Sequence, residues 1–203
     1  MIRLKKNLYE ATVYGVGFMG EGPYKSKVNG KSTREYNIWH SMMDRCYNEK
    51  HSDRYPTYKD CTVCEEWHNF QTFCSWFDNN FREIPGEKMA LDKDILIKGN
   101  KVYGPDTCVF VPKKINSLFV KSDASRSDLP IGVQQVKSGK YQASVSINGK
   151  DKKLGRFNTK EEAFEMYKKA KEQHIKDVAE QYKDRIPKSL YDAMYNYEVD
   201  MYD

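Results

Sequence analysis

Apolar residues recur at helical spacing in three parts of the chain. This periodicity predicts helices over residues 34–47, 65–80 and 159 to about 181. The third helix begins at Thr159, and Glu162 three positions later completes a capping box, which satisfies free N–H groups at a helix start. The second helix carries a stripe of aromatic side chains: Trp67, Phe70, Phe73, Trp76 and Phe77. Because this stripe follows the helical repeat, we expect it to lie in a core and not to stack on bases.

The pattern changes to a period of two in the segments between these helices. Tyr141-Gln-Ala-Ser-Val-Ser-Ile147 alternates apolar and polar residues, which is typical of a half-buried strand, and a shorter strand is predicted on each side of it. Upstream, residues 89–97 and 102–111 are predicted to form a hairpin around 98–100. A short helix is predicted to begin within 112–119. Strands and helices in this order predict an α+β protein.

Two modules are predicted from the position of a polar, turn-rich linker at residues 121–130. The first module, residues 1–120, is mainly helical and ends in the hairpin and helix at 89–120. The second, residues 131–182, is a three-stranded antiparallel sheet packed on a helix. A Tyr-rich acidic tail follows at 183–203.

Positive charge is concentrated in the second module. Residues 136–160 contain seven Lys or Arg and one Asp, whereas the whole chain has 34 Lys and Arg against 29 Asp and Glu. A small sheet with one basic face can lie in the major groove of DNA, where Lys and Arg contact phosphates while Gln and Ser read base edges. The alternative is an ordinary solvated sheet face. The predicted DNA-binding residues are Gln134, Lys140, Gln142, Ser144, Lys152, Lys153 and Arg156.

The second module also resembles the AP2 DNA-binding domain. The matching segments are Gly132-Val133, Lys140-Tyr-Gln-Ala143, Asn148-Gly-Lys150, Leu154-Gly-Arg-Phe157 and Glu162-Ala163. The resemblance implies a three-stranded antiparallel sheet on a helix, with the sheet in the major groove of double-stranded DNA. Where the family often has Arg and Trp, this chain has Gln134 and Tyr141.

A second resemblance lies in the first module. Leu91-Asp-Lys-Asp-Ile95, Gly99-Asn100, Tyr103-Gly-Pro-Asp-Thr-Cys108 and Ile115-Asn116 resemble the ββα-metal hairpin of phage HNH endonucleases. The resemblance implies that Asp92 and Asn116 hold one divalent ion and that Asn100 braces the site. Oxygen ligands of this kind suit Mg²⁺ or Mn²⁺. Taken together, the two resemblances indicate a DNA-binding phage or mobile-element protein of the HNH–AP2 type.

Lys93 stands where HNH nucleases place the His that activates water. An ordinary lysine is protonated at pH 7 and cannot accept a proton, so the predicted catalytic set of Asp92, Lys93, Asn100 and Asn116 lacks its general base. His40, His51 and His68 are substitutes if the fold brings one to the hairpin. Two hypotheses follow: a metal-dependent endonuclease or nickase, weak or degenerate, or a hairpin retained as a scaffold for binding.

A rival hypothesis is a catalytically inactive inhibitor of a host factor, such as a defence nuclease, acting by protein contact. The tyrosines of the tail would be a reasonable contact surface, since Tyr is enriched at interfaces. The alternative is a tail that packs on its own domain. We expect it to fold back as a short helix around residues 189–195.

The remaining composition restricts cofactors and compartment. Cys61 and Cys64 form a C-x-x-C pair, but no second pair completes a tetrahedral set, so zinc is not favoured. The chain has no stretch that approaches the roughly 20 apolar residues of a membrane span, and its first residues do not resemble a signal peptide. We therefore expect reduced thiols, no membrane partner and a location in the host-cell cytoplasm.

Overall fold

A computed structural model describes residues 7–120 and 128–201 of the chain. It contains helices and small, mostly antiparallel sheets, which confirms the α+β class. The chain forms two compact units, residues 1–112 and 113–203. The division falls between Pro112 and Lys113, so the short helix after the predicted hairpin belongs to the second unit. Most of the predicted linker, residues 121–127, lies outside the described residues.

Residues 7–112 of the first unit form three α-helices: α1 Arg34–Tyr47, α2 Glu49–Arg54 and α3 Phe70–Asn80. α1 has the predicted bounds. The second predicted helix is split, because a 3₁₀ turn at Glu65–His68 precedes α3. Asn69 separates the two by capping α3, its side-chain oxygen accepting a hydrogen bond from Gln71 N at 2.9 Å.

The aromatic stripe lies in the core of the first unit, as predicted. Trp67, Phe70 and Phe73 are at most 1% exposed and pack against Trp39 of α1. The Trp39 indole satisfies its own donor, because Nε1 donates to the carbonyl of Trp67 at 2.7 Å. These side chains hold α1 and α3 together and support the strands described next.

The described residues of the first unit also form six short strands: β1 Lys27–Val28, β2 Lys31–Ser32, β3 Thr62–Val63, β4 Met89–Asp92, β5 Val102–Tyr103 and β6 Val109–Pro112. β4 pairs antiparallel with β6, and β5 pairs parallel with β3. The predicted antiparallel pair between residues 89–97 and 102–111 therefore forms only at its outer ends, 89–92 with 109–112, and the predicted strand residues 93–97 and the turn at 98–100 lie in a longer connection. β4 ends at Asp92 because its side chain accepts two backbone N–H groups and turns the chain, and residues 93–101 form a loop.

Within residues 113–120 and 128–201, the second unit has three strands and three helices: α4 Lys113–Asn116, β7 Val133–Gln135, β8 Tyr141–Ile147, β9 Lys150–Phe157, α5 Lys160–Tyr182 and α6 Lys188–Tyr195. The sheet is antiparallel in the order β7-β8-β9. β8 and β9 are joined by Asn148-Gly149, both with positive φ (53° and 74°), the residue pair that two-residue hairpin turns prefer. The predicted three-stranded sheet is confirmed.

α5 covers one face of this sheet. Ala143 and Val145 of β8 pack against Ala163, Phe164 and Tyr167 of the helix. The predicted capping box is present: Glu162 N donates to the Thr159 hydroxyl at 3.1 Å, and Thr159 N donates to the Glu162 carboxylate at 3.3 Å.

The tail packs on its own unit. α6 buries Leu190 and Met194, which confirms the predicted short helix, and Val199 joins the core beneath α5. Tyr191 stacks on Tyr195, with ring centroids 5.6 Å apart. None of the helices that the structure describes has the length and apolar character to cross a membrane.

Candidate nucleic-acid interface

The register of the β7–β9 sheet assigns its residues to two faces. Directly opposed residues of an antiparallel pair share a face. Ala143 and Val145 pack on α5. The residues that alternate with them along β8, and the residues paired with those on β7 and β9, form rows on the opposite side of the sheet. One of these rows crosses all three strands: Gln134 opposes Gln142, which opposes Arg156. We call this side the outer face; its strand residues are Gln134, Gln142, Ser144, Ser146, Asp151, Lys153 and Arg156.

A β-bulge places Lys153 on the outer face together with Arg156. The β8–β9 register shifts so that Ser144 opposes Lys153, and Leu154 becomes the extra residue, packed toward the α5 core. Gly155 has a φ of +146°, a conformation that glycine adopts without the strain of a side chain. In a regular strand, residues 153 and 156 would point to opposite faces.

Two predicted DNA-binding lysines lie outside these rows. Val136 N donates to the carbonyl of Lys140 at 2.9 Å, which continues the β7–β8 ladder and places Lys140 on the outer face. Lys152 opposes Val145, so it lies on the side that α5 covers. Of the predicted set, all but Lys152 therefore share the outer face. Sequence reasoning did not assign Ser146 and Asp151 to the site, although alternation along the strands could have found both.

The cations of the outer face are available to a polyanion. Lys140, Lys153 and Arg156 are exposed, and no carboxylate in residues 7–120 or 128–201 forms an ion pair with them. Asp151, near the β8–β9 turn, is the one acid in the strand rows. Gln142 lies in the middle of the face and is 5% exposed between its neighbours. The arrangement offers positive charge around a polar centre of amides and hydroxyls.

The Asp92 loop, residues 92–101, holds the predicted catalytic residues of the first unit. One carboxylate oxygen of Asp92 accepts hydrogen bonds from Asp94 N and Ile95 N, both at 2.8 Å. Burial raises the pKa of Asp92 despite these two hydrogen bonds, which act to lower it. Through its two hydrogen bonds to backbone N–H groups, the Asp92 side chain shapes the turn that ends β4.

Lys93 and Asn100 hold the rest of this loop together. The Lys93 side chain is buried, donates to the Asp94 carboxylate and to the Asn100 carbonyl at 2.9 Å, and lies 5.7 Å from the centre of the Tyr103 ring. The Asn100 amide donates to the carbonyls of Lys93 (2.8 Å) and Val102 (2.7 Å). The predicted bracing position of Asn100 agrees with these contacts. Lys93 has the contacts of a structural residue.

The residues around Asp92 do not form a cation site by themselves. Mg²⁺ and Mn²⁺ take about six oxygen ligands, but one Asp92 oxygen is engaged by the backbone and the Asp94 carboxylate is paired with Lys93. Asn116, the predicted second ligand, belongs to the other compact unit. Within the described ranges no group of three or more His, Cys, Asp or Glu side chains is arranged to hold a metal ion. The predicted Mg²⁺ or Mn²⁺ site stays a prediction from the resemblance.

The cysteines are free thiols in an environment that favours the protonated form. Burial raises the pKa of Cys46 and Cys64 to about 12 and about 11, and it also raises the pKa of Cys61. Zinc binds the thiolate, so metal binding at the C-x-x-C pair would have to release these protons.

The candidate histidines have partners of their own in the first unit. His51 Nδ1 lies 2.9 Å from Asp44 Oδ2, and His68 Nε2 lies 3.1 Å from the carbonyl of Val63. The His40 ring packs 5.3 Å from that of Tyr14. None of these contacts is with a residue of the Asp92 loop.

Comparisons with protein-family models, with curated proteins and with solved structures return no match to this chain. Function is therefore inferred from the geometry of the two units.

Proposed function

We propose that the second unit binds double-stranded DNA through the outer face of the β7–β9 sheet, in a protein of the HNH–AP2 type. The observation that carries the proposal is the set of unpaired cations, Lys140, Lys153 and Arg156, around the row of Gln134 and Gln142. The other face of the sheet is covered by α5, which leaves the outer face available.

The arrangement suits a duplex for two physical reasons. The major groove, about 12 Å wide, admits a two-stranded ribbon, and strands lie about 4.8 Å apart. Lysine and arginine at the margins can neutralise phosphates and release counterions, which supplies most of the non-specific affinity. Amide groups such as that of Gln134 can make paired hydrogen bonds with adenine edges. A polar centre between cationic margins therefore provides both kinds of contact.

The test is a salt titration of duplex binding by fluorescence anisotropy, carried out on the intact chain. Replacing Lys140, Lys153 and Arg156 together by Ala should weaken binding and flatten the plot of log K against log salt. For every phosphate that the variant no longer neutralises, the slope should fall by about 0.9.

The control for this triple variant removes three exposed lysines elsewhere: Lys50, Lys59 and Lys169. The net charge changes by the same amount, so a non-specific effect of charge appears in both variants. Equal slopes for the two variants would place the DNA surface elsewhere.

Strand cleavage by the first unit is a separate question, because the Asp92 loop alone does not provide a cation site. We expect no nicking of a supercoiled plasmid by the wild-type chain in Mg²⁺ or Mn²⁺. Nicking that is lost in EDTA and in Asp92→Ala would instead establish a metal-dependent endonuclease. Lys93→His tests the missing base, since a positioned base contributes about 10²–10⁴-fold in rate. That variant must first be shown to fold, because the Lys93 ammonium holds the loop.

A further inference from the structure

A cavity of about 1070 Å³ lies in the second unit, beside the latter half of β8. β7 pairs with residues 141–143, and Ser144 N donates to the carbonyl of Gly132 at 2.9 Å where this ladder ends. Past that point the cavity occupies the side of β8 that β7 has left. We call it the β8 cleft; its polar lining includes Lys114, Ser117, Ser144, Ser146, Lys171 and His174.

The charges in the β8 cleft have one sign. Lys114 and Lys171 line it together with His174, and no Asp or Glu is among its lining residues in the part of the chain that the structure describes. Partial burial lowers the pKa of Lys171, and burial together with the Lys171 charge lowers that of His174. A dehydrated ammonium without a counter-charge is unfavourable, and an anion in the cleft would relieve this cost.

The rest of the cleft lining indicates the chemistry of the ligand beyond its anionic group. The hydroxyls of Ser144 and Ser146 can donate to phosphate oxygens, whereas the Ser117 hydroxyl donates to the carbonyl of Lys114 at 2.7 Å. Leu118 and Ile131 provide an apolar wall. The volume is at the upper end of the roughly 300–1,000 Å³ of small-molecule pockets, and a lone phosphate would leave most of it unfilled. A ligand that joins a phosphate to a flat, largely apolar ring matches both parts of the lining.

We propose that the β8 cleft binds a nucleoside phosphate, with the phosphate between Lys114 and Lys171 and the base against the apolar wall. A free nucleotide and a nucleotide within a DNA strand offer the same chemistry. Ser144 and Ser146 belong to both the cleft and the outer face, so a strand on that face would reach the cleft. Binding of a free nucleotide is independent of the proposed function, whereas binding of a strand rests on it.

The experiment measures binding of deoxyadenosine monophosphate to the full chain by isothermal titration calorimetry. Deoxyadenosine and inorganic phosphate are the two partial ligands. We expect each to bind at least about tenfold more weakly than the nucleotide, because each interacts with only one half of the site. Inorganic phosphate that binds as tightly as the nucleotide would overturn the assignment of the base.

Two variants on different elements localise the ligand. Lys171→Gln in α5 and Lys114→Gln in α4 should each weaken nucleotide binding about tenfold or more, as expected when a charge-assisted hydrogen bond is removed. Lys169→Gln is the matched control, since Lys169 is exposed on the same helix and does not line the cleft. Lys171→Gln removes a partly dehydrated charge and should leave the thermal midpoint unchanged or raised. Nucleotide binding that survives both cleft variants would overturn the proposal.

A third arm separates the two sources of the ligand. A 5′-phosphorylated single-stranded oligonucleotide that binds tighter than the mononucleotide, and binds weakly to Lys171→Gln, identifies a DNA strand. An oligonucleotide that binds no tighter identifies a free nucleotide. If duplex binding depends on Lys153 but the wild type binds no nucleotide, the proposal that the β8 cleft binds a nucleoside phosphate would be overturned. The proposed DNA-binding function would still stand.

Discussion

Lys93 in the Asp92 loop and Lys153 on the outer face show two different uses of the same residue type. Lys93 is 5% exposed and is held by the Asp94 carboxylate and the Asn100 carbonyl. Lys153 is exposed and is not in an ion pair with any described carboxylate. The difference teaches that charge near a predicted site indicates ligand binding only where the fold leaves that charge without an internal partner.

The same contrast extends to neighbouring residues of the first unit. The Asp44 carboxylate accepts hydrogen bonds from Tyr14 and Asn48, both at 2.7 Å, and pairs with His51. The Arg45 guanidinium lies 5.5 Å from the centre of the Tyr58 ring. These charged groups hold the fold of the first unit together, whereas Lys140, Lys153 and Arg156 of the second unit are exposed and form no ion pair with a described carboxylate. The following predictions test this contrast, beginning with the largest expected effect.

Lys93→Ala should cost the first unit about 3 kcal/mol of unfolding free energy. The change leaves the Asn100 carbonyl without its donor and removes buried methylene groups, each worth about 0.8 kcal/mol. Solvent at the half-exposed Asp94 keeps the contribution of the ion pair small. Urea unfolding followed by tryptophan fluorescence measures this unit alone, because Trp39, Trp67 and Trp76 all lie in it.

Two further variants sharpen the result at this position. Lys93→Met keeps most of the side-chain volume and should recover about half of the stability, while Lys50→Ala, at an exposed position, should change stability by less than about 0.5 kcal/mol. A Lys93→Ala chain as stable as the wild type would mean that the lysine is free for another role.

Gly155→Asn should destabilise the second unit by about 1–3 kcal/mol, because φ at this position is +146° and a side chain there is strained. The new Cβ would also lie 3.1 Å from the Phe157 ring. Faster amide exchange of β8 and β9 by mass spectrometry would report the destabilisation. Because the bulge orients Lys153, the salt slope of DNA binding should fall as well.

Gly149→Asn is the control for the bulge. Its φ of +74° lies in the left-handed region that asparagine tolerates, and an added Cβ meets no atom within 4 Å. We expect a smaller cost than at Gly155 and an unchanged salt slope. Equal costs at both positions would show that the bulge has no special role.

Asp92 should show a pH dependence opposite to that of a salt-bridged carboxylate. Burial raises its pKa, so the folded state binds more protons than the unfolded state at pH values between the ordinary pKa of 3.8 and the raised one. The stability of the wild type relative to Asp92→Asn should therefore increase as pH falls from 7 toward 3.8, and it should level off below that pH. Urea unfolding by tryptophan fluorescence at a series of pH values measures the difference.

The Asp92 measurement also distinguishes a structural carboxylate from a metal ligand. Asp92→Ala should be less stable than Asp92→Asn by about 1–3 kcal/mol, because two backbone N–H groups lose their acceptor. Added Mg²⁺ should not change the pH profile. A profile that reverses in Mg²⁺, with the wild type stabilised at neutral pH, would instead indicate a cation held by Asp92.

Adjacent lysines of β9 provide the smallest and most specific test of the outer face. Lys153→Ala should lower the salt slope of duplex binding by about 0.9, whereas Lys152→Ala should leave it nearly unchanged. The two variants alter the net charge equally and differ in the face of the sheet that they affect. If Lys152→Ala lowers the salt slope more than Lys153→Ala in anisotropy titrations, DNA binds on the side of the sheet that α5 covers.

Local patterns in the sequence were sufficient to predict α1 and α5, but not α2 or the break before α3. α1 and α5 begin at threonine caps, and their buried positions follow the helical repeat, so both were predicted within about a residue of their bounds. The β8–β9 hairpin is likewise encoded by alternation on either side of Asn148-Gly149. These features depend on residues close together in the chain, which is why the sequence indicates them.

Pairing between distant strands was not predictable in the same way. β4 pairs with β6 as the outer end of the predicted hairpin, but β5, predicted as its inner part, pairs with β3 from far upstream because contacts in the core outweigh the simpler hairpin. The buried state of Lys93 follows from these pairings, since they bring Tyr103 and Asn100 to its ammonium. An exposed and a buried lysine look alike in a sequence.

The sequence by itself determined the α+β class, the capped helices, the three-stranded sheet and the concentration of cations along it, because these depend on periodicity and composition. Only the tertiary structure decided which cations act together. Lys152 and Lys153 lie on opposite faces because side chains alternate along β9, and the bulge at Leu154 shifts the register by one residue, which unites Lys153 with Arg156. The β8 cleft exists because β7 is shorter than β8, and it brings Lys114 and Lys171 together from segments far apart in the chain.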